Sequence, residues 1–406
     1  MRIARRLLIV SAVLGVMVHA MAIAADGALP KGVQLPKDVK VPNDTALAIY
    51  IPTSEVKSRF YVSTLGIWAE PGKALDDARR ELGPRFFSQT LPVDFASDGS
   101  YGLLLAINPK WRVEKGNLQL EMHYKVLGTG SQQLLEGTQM QSVGLHSPGP
   151  LGGFPNAALR VTQLVLVDVL RKLQPNGTKF PASGQLTAIN LESLVDRTAP
   201  VSTGTAFYIN KSGQLMTAAH VLRDCLIIEA QKDGQKFPVK RHAVSDLLDL
   251  AVVDSGQVTD KALPLRAGQE LMLGESVTNV GYPLQGILAA APNLTRGNVS
   301  AQGGLKGSVG LFQFSAPIQP GSSGGPVVSD RGELLGVTVG TLNATALINE
   351  GLLPQNVNFA LEARYAALFM RNSNVEFREL APAAGGDMKT ANDAALGAVV
   401  QLSCYQ

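Results

Sequence analysis

Pro320-Gly321-Ser322-Ser323-Gly324-Gly325-Pro326 sets a hydroxyl among glycines and closes both sides with proline. Glycine permits a tight turn and lets another chain approach the backbone closely. A serine hydroxyl attacks poorly by itself. It needs an exposed turn, a neighbouring base, and N–H groups aimed at the oxyanion that develops. An ordinary Gly/Ser turn between strands is the plainer reading, so the stretch asks for a base elsewhere. Leu215-Met216-Thr217-Ala218-Ala219-His220-Val221-Leu222 offers one, because an apolar strand delivers His220 to a small-residue turn. Imidazole suits that work, since it titrates near neutral pH. The chain has five histidines. His19 lies within the first 25 residues, read below as an export signal, and His123, His146 and His242 read as structural. Asp246-Leu247-Leu248-Asp249-Leu250-Ala251-Val252-Val253 then places a carboxylate before a buried strand. A carboxylate there can hold the second imidazole nitrogen and stabilise the imidazolium. Asp249 is favoured, with Asp246 and Asp254 as competitors.

Outward from these signals, residues 185–372 are short β-branched runs broken by Gly, Pro, Asn and Ser. That texture predicts a β barrel or sandwich. A helical run at Leu361–Met370 closes it. Thr-Ala-Ala-His, Asp-Leu-Ala and Gly-x-Ser-Gly-Gly-Pro, in the order His, Asp, Ser, resemble the chymotrypsin-like peptidases. Further motifs are similar to the HtrA/Deg branch of that family. They are Thr203-Gly204-Thr205-Ala206-Phe207, Gly274-Glu275-Ser276-Val277 with Gly281-Tyr282-Pro283, Thr295-Arg296-Gly297-Asn298-Val299-Ser300, and Asn358-Phe359-Ala360. The likeness covers about residues 200–370. It departs at Ser315, where the family often has Asp, and at Gln319, where Asn is usual. The residues after the last helix are too few for a PDZ module, and the N-terminal part has no counterpart in ordinary HtrA proteins.

The resemblance implies a mainly β fold: a chymotrypsin-like double six-stranded antiparallel β barrel with the site in the cleft. It implies Ser323 as nucleophile, His220 as base, Asp249 as the group fixing the tautomer, and the N–H groups of Gly321 and Ser323 as the oxyanion donors. Pro317, between Ala316 and Ile318, falls where the floor of the primary specificity pocket is expected, which predicts an apolar P1 side chain. Val337, Thr338 and Val339 lie on a run expected to pair with an extended substrate. Polypeptides are the implied substrates, and no metal or cofactor is required. The competing class is a non-catalytic envelope binding protein that keeps the fold.

The chain's 406 residues allow two or three domains. With 45% hydrophobic and 17% charged residues, disorder throughout is excluded. Lys and Arg number 36 against 33 Asp and Glu, and Arg2, Arg5 and Arg6 account for the excess. The rest is neutral and carries no electrostatic footprint for nucleic acid. Those arginines, the apolar run Leu7–Val18 and Ala22-Ile23-Ala24-Ala25 are the three parts of an export signal over residues 1–25. The run is short for a membrane span, the alternative being a retained anchor. A periplasmic or extracellular protein without a membrane span is expected. In that setting Cys225 and Cys404 suggest one disulfide, against two buried free thiols. No CxxC or paired His accompanies them, so no zinc site is read.

A Pro- and Lys-containing leader covers 26–44, and a small α/β module covers 45–174, a candidate for binding a protein partner. A linker follows at 175–184, the peptidase-like domain at 185–372 and a tail at 373–406. Within the module, strands are expected at Ala46–Ile51, Tyr101–Ile107, Leu118–Val126 and Gln133–Val143. Helices are expected at Ala74–Leu82 and Asn156–Leu173, with Gly83-Pro84 ending or kinking the first.

Overall fold

The computed structural model describes residues 34–62, 66–93, 98–146, 151–174, 177–266, 268, 270–285, 291–304, 310–341, 356–381 and 386–406. The expected export signal lies outside them. In the module, every second residue from Leu118 to Val126 is fully buried. That period-two burial is what a strand with one covered face requires. The elements are β1 (Asn43–Tyr50), α1 (Thr53–Val56), α2 (Pro71–Phe86), β2 (Phe87–Pro92), β3 (Leu103–Glu114), β4 (Asn117–Gly128), β5 (Gln133–Gly144) and α3 (Gly153–Leu173). One sheet runs β2-β1-β3-β4-β5. β1 is parallel to both neighbours, and β3 to β5 form an antiparallel meander. α2 and α3 cover one face through Leu75, Leu82, Val161 and Val165. The other face packs Ala48, Tyr50 and Leu104 onto Leu186, joined by Leu226 of the following domain.

α2 does not end at Gly83-Pro84 but continues to Phe86. A proline in the last turn removes one helical hydrogen bond. Buried Leu82 and Phe86 hold the end against the core. Gly83 serves another purpose: a Cβ there would lie 2.6 Å from Thr90 Oγ1 of β2.

α1 meets α2 backbone to backbone, since a Cβ at Gly72 would lie 2.2 Å from Val56 O and 2.3 Å from Glu55 O. Burial pushes the Glu55 carboxyl up to about 7. A raised carboxyl stabilises the fold while protonated, and that stability is lost as pH climbs from the ordinary carboxylate range through about 7. Glu55→Gln is therefore expected to raise the thermal midpoint at pH 8 and leave it nearly unchanged at pH 4. Equal shifts at both pH values would reject burial as the cause.

The second part begins with β6 (Ser202–Tyr208), β7 (Gln214–Ala218), β8 (Ile227–Lys232), β9 (Gln235–Pro238), β10 (Lys240–Ser245) and β11 (Leu250–Asp254). It continues with β12 (Ser276–Gly281), β13 (Asn293–Gln302), β14 (Leu311–Phe314), β15 (Pro326–Val328), β16 (Leu334–Thr341) and β17 (Asn358–Glu362). α4 (Ala363–Asn372), α5 (Met388–Ala398) and β18 (Val399–Tyr405) follow. The second six strands close a ring, β15-β12-β13-β14-β17-β16, with β16 pairing back to β15; short strands at Leu265–Arg266 and Glu379–Leu380 extend the sheet beyond β16. The first six gain a seventh: the order is β9-β8-β18-β6-β7-β11-β10.

The segment read as a tail is thus corrected. α5 packs over the barrels, and β18 inserts between β6 and β8, paired along both edges. Its alternation Val400, Leu402, Cys404 joins the first barrel's core, and a Cys225–Cys404 disulfide ties it to the turn after His220. Phe207, Met216 and Val252 from the first barrel meet Val280, Val328 and Val337 from the second in one shared core. That buried contact fixes one barrel against the other. The result is the mainly β, chymotrypsin-like two-barrel architecture.

Candidate active site

Register brings the acid to the base. β7 and β11 are antiparallel with Ala218 opposite Leu250, so the residues just beyond, Ala219–His220 and Asp249, meet at the strand ends. The Ala219 N–H donates to Asp249 O at 3.0 Å. The His220 N–H donates to Asp249 Oδ1 at 2.8 Å. His220 Nδ1 and Asp249 Oδ2 lie 2.7 Å apart. Asp249 reaches this position from the left-handed region, with φ 51°, a conformation that aspartate tolerates better than most residues. Asp246 is exposed. Asp254, at the far end of β11, faces His242 at 3.2 Å and Gln214 at 2.9 Å. His123 bonds Thr138 and Glu136.

The Pro320–Pro326 turn needs its glycines. Gly321 has φ 99° and Gly324 φ 81°. A Cβ on Gly321 would lie 2.4 Å from Tyr282 O, and one on Gly324 2.3 Å from both Thr205 O and Thr217 Oγ1. The four carbonyls from Pro320 to Ser323 are occupied. Pro320 O accepts from Leu284 N (2.7 Å), Ser322 O from Gly325 N (3.0 Å) and Ser323 O from Thr205 N (2.9 Å). Gly321 O accepts from Thr205 Oγ1 (2.8 Å). The N–H groups of Gly321 and Ser323 have no partner among the described residues. Two donors left free on a rigid turn are what an oxyanion hole requires.

Ser323 is seated on the first barrel, but its hydroxyl is not joined to His220. Ser323 Oγ lies 3.4 Å from Val339 O, and no hydrogen bond links it to the imidazole among the described residues.

The expected substrate strand needs correction. Val337 is fully buried and paired with Pro326 on one side and Leu361 on the other. Thr338 is equally buried. Its N–H donates to Gly325 O, its carbonyl accepts from Gly324 N, and its Oγ1 accepts from Asn279. Neither residue has backbone left for a substrate. Val339 does, because the β16–β17 register skips it between Thr338 and Gly340. Pro317 is exposed between buried Ala316 and Ile318. Sequence reasoning passed over Thr205, whose type only marks a good strand former.

Residues 204–337 match the family described as Trypsin-like peptidase domain. The chain is 27% identical over 233 residues to the serine endoprotease DegS of Escherichia coli, covering 51% of this chain and 64% of that protein. It is 35% identical over 142 residues to Protease Do-like 2, chloroplastic, of Arabidopsis thaliana, covering 34% and 23%. An uncharacterised protein of Sinorhizobium fredii, y4bJ, is 43% identical over 176 residues, covering 43% and 27%. The chain thus spans less than two thirds of each relative. Among solved structures, the serine endoprotease from Yersinia pestis aligns over 44% of this chain and 60% of its own, at 24% identity and TM-score 0.36.

Proposed function

We propose that this chain is an exported serine endopeptidase that cleaves polypeptides through an acyl-enzyme. The double grip of Asp249 on His220, at Nδ1 and at the backbone N–H, carries the reading. A charged Asp249 keeps the proton on Nδ1, so Nε2 holds the lone pair. The reaction requires Ser323 Oγ to leave Val339 O, now 3.4 Å away, for Nε2. Ser323 Oγ then bonds to the substrate carbonyl carbon while its proton passes to Nε2. The carbonyl oxygen becomes the anion facing Gly321 N and Ser323 N. His220 returns the proton to the leaving amine, and water repeats the sequence to free the enzyme. Val339 O accepts the N–H of the residue ahead of the scissile bond. Pro317 favours an apolar side chain there, and preferred cleavage after Lys or Arg in a peptide library would reject that preference. Residues 1–25 direct export to the periplasm or exterior; among the described residues no helix is long and apolar enough to cross a membrane. The N-terminal module is a candidate for recruiting substrate, docking a protein partner or covering the cleft.

A fluorophosphonate probe tests the reading. Ser323 Oγ bonds to phosphorus, fluoride leaves, and the hydroxyl proton passes to His220. Wild type is expected to label and Ser323→Ala to stay unlabelled. Equal silence of both would favour the binding-protein reading, to which the Ser323–Val339 contact lends itself.

A further inference from the structure

Thr205 is fully buried and bonds the serine turn, the Tyr282 segment and the strand that leads to His220. Its N–H donates to Ser323 O at 2.9 Å. Its Oγ1 donates to Gly321 O at 2.8 Å and accepts from Tyr282 N at 2.9 Å. Its own carbonyl accepts from Thr217 Oγ1 at 2.7 Å, three residues before His220.

These bonds follow from a split in the first barrel. β6 and β7 pair only at Phe207–Met216 and Tyr208–Leu215. Before residue 207 they part, and the Ser323–Gly324 backbone wedges into the gap, against Thr205 O, Thr217 Oγ1 and Ala218 N. The hydroxyl also controls both peptides flanking Gly321. It holds the 321–322 carbonyl directly. It holds Tyr282 N, in the same segment whose Leu284 N–H holds the 320–321 carbonyl at 2.7 Å. The direction of the free Gly321 N–H is thereby fixed.

We propose that Thr205 is a positioning residue: its hydroxyl aligns the Gly321 oxyanion donor and, through the backbone, Ser323 with the strand that carries His220. This rests on the peptidase reading. Removing the hydroxyl leaves a buried carbonyl and a buried N–H unpaired, which favours reorientation of the turn. Loss of one oxyanion donor outright lowers kcat by about 10²–10³, so a misaimed donor is expected to cost roughly 10–100-fold.

The experiment measures fluorophosphonate inactivation of the full chain, with limiting rate and half-saturation concentration separated. Thr205→Val should lose roughly 10–100-fold in limiting rate, with half-saturation changed less than about threefold. Thr205→Ser, which restores the hydroxyl, should recover to within about threefold of wild type. Circular dichroism melts establish folding; should the valine variant not fold, Thr205→Cys, a weaker donor of similar size, is expected to fall between serine and valine. An active wild type matched by a folded valine or cysteine variant overturns the positioning role alone. A serine variant as slow as valine also overturns it, because shape rather than the hydroxyl would then matter. An inert wild type overturns the peptidase reading and this role with it.

Discussion

His220→Ala is expected to lower kcat by about 10⁶, close to the loss from removing Ser323 itself, because base and nucleophile act as one unit. Asp249→Asn is expected to lose about 10⁴. The asparagine oxygen can still accept the His220 backbone N–H, now 2.8 Å from Asp249 Oδ1. Its amide then faces Nδ1 and drives the proton to Nε2, leaving no lone pair for the serine. The fold should survive, since the β7–β11 pairing from Gln214 to Ala218 is untouched. Steady-state kinetics on a peptide cleaved by wild type, with melts run beside them, check both values. A His220→Ala variant retaining even a hundredth of wild-type kcat would remove His220 from the mechanism.

Breaking the Cys225–Cys404 bridge is expected to have the largest effect on stability. The two cysteines are 179 residues apart, a separation at the long end of the chain-entropy account. Loss of such a bridge typically costs about 2–5 kcal/mol. For a domain of this size that is a fall of roughly 5–15 °C in thermal midpoint. β18 shares a buried core with its neighbours and pairs with β6 and β8 from Ser202–Cys404 through Ile227–Tyr405. Fraying β18 exposes an edge of β6, the strand that carries Thr205, so peptidase activity should decline at a lower temperature than in the bridged protein. Calorimetry of the protein with and without a phosphine reductant, and of the Cys225→Ala/Cys404→Ala double variant, measures the effect. Unchanged melting in all three samples would show that strand pairing alone holds β18.

Much of the site was legible because its chemistry restricts residue type. Positions 321 and 324 accept only glycine without strain, and both lie at positive φ beside neighbouring backbone. Such places leave a signature in any sequence that uses them. Local pattern does not separate Asp246, Asp249 and Asp254, because all three flank the same apolar run. The register of Ala218 with Leu250 sets Asp249, and not the other two, beside His220. The run expected to pair with a substrate was half legible: a one-residue skip in pairing leaves Val339 out of the ladder, while Thr338 is fully buried. In the module, Gly83-Pro84 reads locally as a stop, yet the apolar stripe through Phe86 carries the helix past it.

By itself the sequence determined the barrel texture, the order His220, Asp249, Ser323, and the glycine turn, since periodicity and forbidden backbone angles act over a few residues. Only the tertiary structure decided that Val399–Tyr405 is an inner strand and that Thr205 ties four segments together. Hydrogen bonds between segments distant in sequence depend on how the chain returns to itself, and no local pattern encodes that return.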